Sequence, residues 1–469
     1  MQLPIRRANA HRLAVACSSD RGGMGPARRI LSQQVRSRVL LLIAAWPLAI
    51  TPVNAAGMPK LTLPQLIQIA WQDNKDLQAV RHAVEIGRAR LVQAGLYPNP
   101  RVEISRNDDS LFRNQGDYSG SVTLSQEFPI AGRIQHQRDV ARVNVALAEA
   151  EIEDAERRLA GEVAANFYRY VVLDRQIAVR DYLIDIEQKL ARITRDRLHA
   201  AEVSELDVNT VQLDLQRIQQ ERARLLTEMQ TLVAALNQQL GRPASSPLEL
   251  DAAVPEIESL DRLELQQARA LDLRADLRMA MLEADRAGAE KALARAQRWE
   301  DWAVGIGMEQ NRLAIEGAPR LRSDRVLMLR LTIPLPLLNR SQGAIAEAEA
   351  TGRRATAKIA ALKLDIDSGV ASAHTEASRL EELLRQFEGG LLPIGERNAE
   401  LARRGYAQGL VSIFEVTLAL RQQGDSNVAY LDTLDQYLGA LVRLHTAVGD
   451  YNARMATAGP APEDNREED

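Results

Sequence analysis

Two stretches of the chain decide its fold: Phe128-Pro129-Ile130-Ala131-Gly132-Arg133 and Leu335-Pro336-Leu337-Leu338-Asn339-Arg340. Each follows a run of alternating apolar and polar residues and precedes a long helical pattern. Proline cannot extend a sheet ladder, and Gly132 and Asn339 tolerate a left-handed backbone. Each stretch therefore predicts an elbow, at which a strand ends and the chain turns into a helix.

An internal duplication relates the two elbows. Aligning Pro129 with Pro336 and Arg133 with Arg340 places the copies about 207 residues apart. At nearly the same offset, residues 198–208 align with residues 406–416. Strand, elbow, long helix, tip and returning helix are therefore each predicted to occur twice. The predicted order is a first repeat at 57–242, a connecting segment at 243–260, a second repeat at 261–452, and a disordered acidic tail at 453–469.

Composition favours long helices and excludes several classes of protein. Hydrophobic residues make up 46% of the chain but aromatic residues only 4%, which is typical of helices packed through small side chains. The net charge of -4 provides no basic surface for nucleic acid. The single cysteine, Cys17, excludes an intrachain disulfide framework and a thiolate metal cluster.

Residues 1–56 are interpreted as a leader with a secretory signal peptide. Arg36 and Arg38 precede an apolar run at 39–50, and small residues follow it up to Ala56, near which cleavage is expected. Cys17 precedes the apolar run, so we expect it to be removed with the leader and not to carry a lipid anchor.

Long helices and short strands alternate along the rest of the chain. An amphipathic helix is predicted at 63–96, and proline-free residues 134–198 predict a helix about 100 Å long that packs antiparallel against a helix at 205–240. In the second repeat, the corresponding long helix is predicted at 342–404. Alternation at 102–106, 121–126, 304–308 and 326–333 predicts four strands.

The predicted fold class is mainly α with a small membrane β-barrel. Four strands cannot close a barrel, and lipid does not tolerate an open sheet edge. Three chains would supply twelve strands, which is within the range of outer-membrane barrels. The prediction is therefore a trimer whose long antiparallel coiled-coil hairpins form a helical tunnel.

With these features, the chain resembles the TolC-like outer membrane factors. The segment 333–343 is similar to the heavy-metal (CzcC-like) branch of that family. The resemblance implies a homotrimeric exit duct in the outer membrane, with its helical tunnel in the periplasm. It also implies a periplasmic membrane-fusion adaptor and an inner-membrane, proton-driven RND-type pump as partners. We expect no enzyme activity and no cofactor.

The resemblance further implies that the helical tips close the periplasmic end of the duct. Asp207 and Tyr406 occupy the family's gate positions, whereas the family's arginine position is occupied by Val411. Arg403 or Arg404 is predicted to replace that arginine, and Glu415 to join Asp207 in a ring of carboxylates. The alternative is that Asp207 and Glu415 only stabilise the starts of their helices.

Other functions remain open at this point. The same duct could serve drugs, small organic molecules or type I protein secretion, and a periplasmic coiled-coil adaptor or scaffold without a pore is a second class. No two of the six histidines lie at the spacing of one helix face, so no metal site is predicted. No catalytic constellation of residues stands out.

Overall fold

The computed structural model describes residues 60–108, 118–255, 257, 260–312 and 322–451. The chain divides into two units, Met1–Gly57 and Met58–Asp469, and every element below belongs to the second. The predicted leader at 1–56 and the predicted tail at 453–469 lie outside the described residues.

Each repeat contains two short helices, two strands and a long helical hairpin. The first repeat consists of α1 (Leu63–Asp73), α2 (Lys75–Ala94), β1 (Arg101–Asp108), β2 (Tyr118–Phe128), α3 (Arg133–His199) and α4 (Glu205–Gln239). The second consists of α5 (Leu263–Leu273), α6 (Ala275–Ala296), β3 (Trp302–Arg312), β4 (Asp324–Thr332), α7 (Gln342–Gln386), α8 (Leu392–Ala407) and α9 (Ile413–Val448). The predicted duplication is therefore present in the fold.

The opening helix of each repeat is divided, so the prediction of one helix at 63–96 was wrong. Asn74 ends α1 and caps α2, because its side chain accepts a hydrogen bond from the Leu77 N–H at 2.9 Å. The same side chain donates to the carbonyl of Gln239 in α4, also at 2.9 Å. In the second repeat the break falls at Arg274, whose backbone is extended.

The two long hairpins confirm the predicted helices but differ in continuity. Helix α3 runs unbroken for 67 residues, which corresponds to about 100 Å. Its counterpart, predicted as one helix at 342–404, is interrupted by a π-helical turn at Phe387–Leu391. Gly389 and Gly390 lie in that turn, and Pro393 follows it in the first turn of α8. Proline lacks the N–H that a regular helix needs, which explains the interruption.

The four strands form one antiparallel sheet in the order β1-β2-β3-β4. Their register aligns apolar side chains into two rows that cross the sheet. One row is Val102, Leu124, Ile306 and Leu329, and the other is Ile104, Val122, Met308 and Leu327. All of these side chains are exposed in the chain. One face of the sheet is thus apolar without being covered by the helices.

The connecting segment between the repeats is tied to the start of the first repeat. Leu61 forms an isolated parallel bridge with Leu250. The Leu61 N–H donates to the carbonyl of Glu249 at 3.1 Å, and the Asp251 N–H donates to the carbonyl of Leu61 at 3.0 Å. Backbone hydrogen bonds therefore hold the connecting segment against the start of the first repeat.

Candidate functional site at the helical tips

The ends of the two hairpins pack together in a small apolar cluster. We call the turn between α3 and α4 (residues 200–204) the first tip, and the turn between α8 and α9 (residues 408–412) the second tip. The cluster draws on α3, α4, α8 and α9, and its buried members are Ile186, Leu190, Ala191, Val211, Ala399, Tyr406, Ile413, Val416 and Leu420. Burial of these side chains couples the two hairpins near their tips.

Tyr406 is the largest buried side chain of this cluster and is only 4% exposed. The guanidinium of Arg197, on α3, lies over its ring at 4.6 Å from the centroid. The Tyr406 hydroxyl is 3.4 Å from the hydroxyl of Thr194, which is long for such a hydrogen bond. The ring contact with Arg197 is therefore the stronger of the two, and it fastens the second tip to α3 of the same chain.

Both predicted carboxylates belong to capping boxes. A single oxygen of Asp207 accepts the Ser204 N–H at 2.8 Å and the Ser204 hydroxyl at 2.7 Å. Glu415 repeats this with Ser412, at 2.7 Å from the N–H and 2.9 Å from the hydroxyl. These bonds, the N–H first, lower the pKa of Glu415 and keep it ionised. The structure thus gives both carboxylates the helix-starting role that the sequence left as the alternative.

The two tips also share a backbone conformation. Ala201 has a φ of 59° and Gly409 has a φ of 72°, so each turn contains one left-handed residue three positions before its capping serine. An alanine tolerates this conformation less readily than a glycine, so the first tip stores more backbone strain than the second.

Arg403 and Arg404 do not pair with Asp207 or Glu415 within the chain. Both form ion pairs with Glu400 one turn earlier on α8, and Arg404 Nε lies 2.6 Å from its carboxylate. The hydrogen bond from Arg404 and the charge of Arg403 lower the pKa of Glu400. The predicted replacement of the family's arginine is therefore not formed within this chain, because a nearer carboxylate on the same helix binds both side chains.

Val411, at the family's arginine position, has an apolar role. Its two methyl groups lie 3.2 Å from the position that a Cβ on Gly405 would occupy. It also packs, partly buried, against the tip cluster. The second tip thus replaces a charged contact with close packing of a valine over a glycine.

The first elbow joins β2 to α3 through the predicted residues. Gly132 has a φ of 71° and precedes the helix directly, and Ala131 is also left-handed. Arg133 begins the helix and forms an ion pair with the largely buried Asp301, next to the start of β3. Pro129 follows the last residue of β2. Asp301 could not be identified from the sequence, because nothing in its neighbourhood distinguishes it from the many other acidic residues.

The second elbow follows a different local geometry. Pro336, Asn339 and Arg340 lie between β4 and α7, but the left-handed residue is Ser341, with a φ of 55°, and not Asn339. The side chain of Asn339 instead accepts the Ser341 N–H at 3.0 Å, which stabilises the turn locally. Arg340 Nε donates to the carbonyl of Leu337 at 3.3 Å.

Two properties of the described residues bear on function. None of the helices in that part of the chain is both long and apolar enough to cross a membrane. Nor does it contain a group of three or more histidine, cysteine, aspartate or glutamate side chains that could hold a metal ion.

The family model for outer membrane efflux proteins matches residues 66–242 and 267–450, which together contain both hairpins and the sheet. The chain belongs to the outer membrane efflux protein family. No curated protein shows significant sequence similarity to it.

Several solved structures are similar to the chain, each over 82% of its length. They include CusC (TM-score 0.68, 18% identity, 92% of that chain), VceC from Vibrio cholerae (0.65, 18%, 96%) and the open state of the MtrE channel from Neisseria gonorrhoeae (0.65, 17%, 88%). At these identities the similarity establishes the fold, which is that of outer-membrane channel proteins.

Proposed function

We propose that the chain is the outer-membrane exit duct of an efflux assembly and acts as a homotrimer. In this assembly each chain contributes four strands to a twelve-stranded barrel, and the hairpins form a tunnel in the periplasm. Family membership supports a role in efflux. The single observation on which the proposal of a duct rests is the exposed apolar face of the sheet.

The two faces of the sheet differ as the two faces of a membrane barrel wall do. One face carries the two apolar rows described above, whereas the other face carries small and polar residues such as Thr123, Ser125 and Gly305. An uncovered apolar face of this kind is a liability in water but matches the hydrocarbon of a bilayer.

The strands also have the length and the edges that a barrel needs. They contain 8, 11, 11 and 9 residues, close to the 9–11 residues of a membrane-spanning strand. Within the described sheet, β1 and β4 each pair on one side only. Pairing of β4 with β1 of the next chain would satisfy both edges and close the wall.

A passive duct needs an energy source elsewhere. We assign energy coupling to a proton-driven, RND-type pump in the inner membrane and the bridging role to a periplasmic membrane-fusion adaptor. The two tips are the proposed periplasmic gate, with Tyr406 holding the second tip against α3 and with Asp207 and Glu415 providing negative charge near the aperture. Arg403 and Arg404, bound to Glu400, position the adjoining turn of α8.

Heavy-metal cations are the proposed cargo. The support is the likeness of the second elbow to the heavy-metal branch and the carboxylate that the capping box places at each tip. A duct gains nothing from a tight metal site, because such a site would retain the ion that it should release. Drugs, small organic molecules and secreted proteins are the alternative cargoes, and a scaffold without a pore is the alternative function.

Two lysine variants of adjacent residues test the membrane-embedded sheet. Leu124→Lys places a charge on the apolar face near the middle of β2, which should cost about 2–4 kcal/mol per chain at the bilayer midplane and prevent membrane assembly. Ser125→Lys places the same charge on the opposite face and should assemble normally. The readouts are the mass of the detergent-solubilised complex and channel formation in planar bilayers. A parent protein that stays monomeric and soluble without detergent would contradict the duct.

Growth of a deletion strain tests the cargo. We expect the strain to lose resistance to divalent heavy-metal cations and to keep its resistance to drugs and detergents. Complementing the deletion strain with the Leu124→Lys and Ser125→Lys variants shows whether the lost resistance depends on membrane assembly of the duct. Sensitivity to drugs alone would assign the same duct to organic molecules.

A further inference from the structure

A buried acidic pair lies where α3, α4 and α9 meet, a few turns from the tips. Glu187 of α3 is 3% exposed, and Asp214 of α4 is 7% exposed. Asp214 forms an ion pair with Arg421 of α9, whose own side chain is half exposed. In the described part of the chain, no donor bonds to Glu187 Oε2 or Asp214 Oδ2. Two buried carboxylates therefore share one site, and of the two Asp214 is the one paired with Arg421.

The pair borders a cavity of about 140 Å³. Its charged lining comes from all three helices and consists of Arg180 and Glu187 from α3, Asp214, Arg217 and Glu221 from α4, and Arg421 and Asp425 from α9. Arg180 and Arg217 both bind Glu221, at 3.0 Å and 3.1 Å, and Arg421 binds Asp214. The positive charges around the cavity are thus bound to carboxylates other than Glu187.

The environment of Glu187 favours its protonated form. Burial, followed by the charge of Asp214, raises its pKa to about 7, and the charge of Arg421 offsets only part of this. The packed state therefore holds this proton more tightly than a state in which Glu187 is hydrated. Stability from this group is complete at pH values below the ordinary glutamate range and is lost as the pH rises through about 7.

We propose that Glu187 is a proton-operated latch that controls how α9 packs against α3 and α4. The inference rests on the proposed gate, because α9 begins at the second tip. Protonated Glu187 is neutral and adds no charge beside the ion-paired Asp214. Deprotonated Glu187 adds a second buried negative charge beside Asp214, and the two charges repel.

Apart from this cavity, the helices next to the pair are closely packed. The methyl carbon Cδ1 of Leu183 lies 3.3 Å from the position that a Cβ on Gly424 would occupy, so α3 and α9 are in close contact one turn from Glu187. Repulsion between the carboxylates is therefore relieved by separating the helices and admitting water. In the trimer this would loosen three α9 helices at once.

The test is the pH dependence of leak conductance for the purified trimer in planar bilayers. Between pH 6 and pH 8 the ratio of deprotonated to protonated Glu187 rises about 100-fold. We expect the parent channel to leak more at pH 8 than at pH 6, and Glu187→Gln to show low leak at both values. The control is Glu381→Gln, which neutralises another buried glutamate, bound to Arg385 on α7, and should keep the parental profile. A parental pH profile in Glu187→Gln overturns the latch.

Thermal unfolding of the same proteins separates the latch from the duct. The midpoint of the parent should fall on going from pH 6 to pH 8 by more than that of Glu187→Gln, whether or not channels form. If no variant conducts while this difference persists, the duct fails and the latch stands. If the channels conduct but the unfolding midpoints of the parent and of Glu187→Gln fall by the same amount between pH 6 and pH 8, the latch fails and the duct stands.

Discussion

Replacing Tyr406 tests whether the tips are the gate. Truncating a buried aromatic residue to alanine typically costs about 3–5 kcal/mol. The contact with the Arg197 guanidinium, 4.6 Å from the ring centroid, is lost as well. Much of this energy is lost in the open state as well, because α8 stays folded there. We therefore assign about 1.4 kcal/mol of the loss to the closed state of the tips alone, which corresponds to a tenfold change in the ratio of open to closed channels. Tyr406→Ala should raise the leak conductance by about that factor.

Adding Asp207→Asn to this variant tests the charge at the aperture. Asparagine keeps an oxygen that accepts the Ser204 N–H, so the capping box loses its charge without losing its geometry. Three neutralised copies should weaken the cation preference, although a single exposed charge pair contributes only about 0–1 kcal/mol.

The assay is single-channel recording in planar bilayers with asymmetric salt. Tyr406→Phe is the matched control, because it keeps the ring under Arg197 and removes only the hydroxyl at 3.4 Å from Thr194. Glu205→Gln is the control for charge, since Glu205 is exposed in the same first turn as Asp207. If Tyr406→Ala/Asp207→Asn conducts as the parent does, with unchanged selectivity, these residues only stabilise their helices and the gate lies elsewhere.

Three further predictions concern stability and processing. Gly241 has a φ of 67°, and a Cβ there would lie 2.2 Å from the carbonyl oxygen of Asp73. Gly241→Ala should therefore lower the free energy of unfolding by more than about 1 kcal/mol. Gly288→Ala is the control and should not lower it, because there is open space around Gly288. Ser204→Ala and Ser412→Ala should each lower the free energy of unfolding by about 1 kcal/mol and speed amide hydrogen exchange in the first turns of α4 and α9. Equal exchange rates in the parent and the variants would contradict the capping boxes. The intact mass of the mature chain should correspond to cleavage near Ala56 without an acyl group, and an acylated Cys17 would show that the leader was interpreted wrongly.

The sequence was most informative where local chemistry alone determines the structure. The proline and glycine of the first elbow, the proline-free run of α3 and the Ser-x-x-acid patterns at both tips act through neighbouring residues. Each of these features could be predicted without knowing what packs against it. The duplication strengthened the predictions, because the same pattern had to be consistent in two places.

Features that depend on packing partners were missed. The apolar periodicity continues across Asn74, so the break between α1 and α2 is visible only through the cap and its bond to Gln239 in α4. The bonds of Arg403 and Arg404 to Glu400 could have been expected from their spacing on one helix. The burial of Glu187 could not, because charged residues are frequent along these helices and only the tertiary contacts distinguish a buried carboxylate from an exposed one.

The two repeats share a plan but connect their tips to the sheet differently. In the first repeat one continuous helix of 67 residues runs from the elbow to the tip, so a displacement at either end is transmitted along a regular hydrogen-bond ladder. In the second, the π-helical turn and its two glycines interrupt that ladder, and only α8 and α9 extend beyond it. Near this turn, Glu388 accepts a hydrogen bond from the Tyr430 hydroxyl of α9 at 2.9 Å. The second tip is therefore held mainly through the unbroken helix α9 and its contacts with α3, among them the site of Glu187.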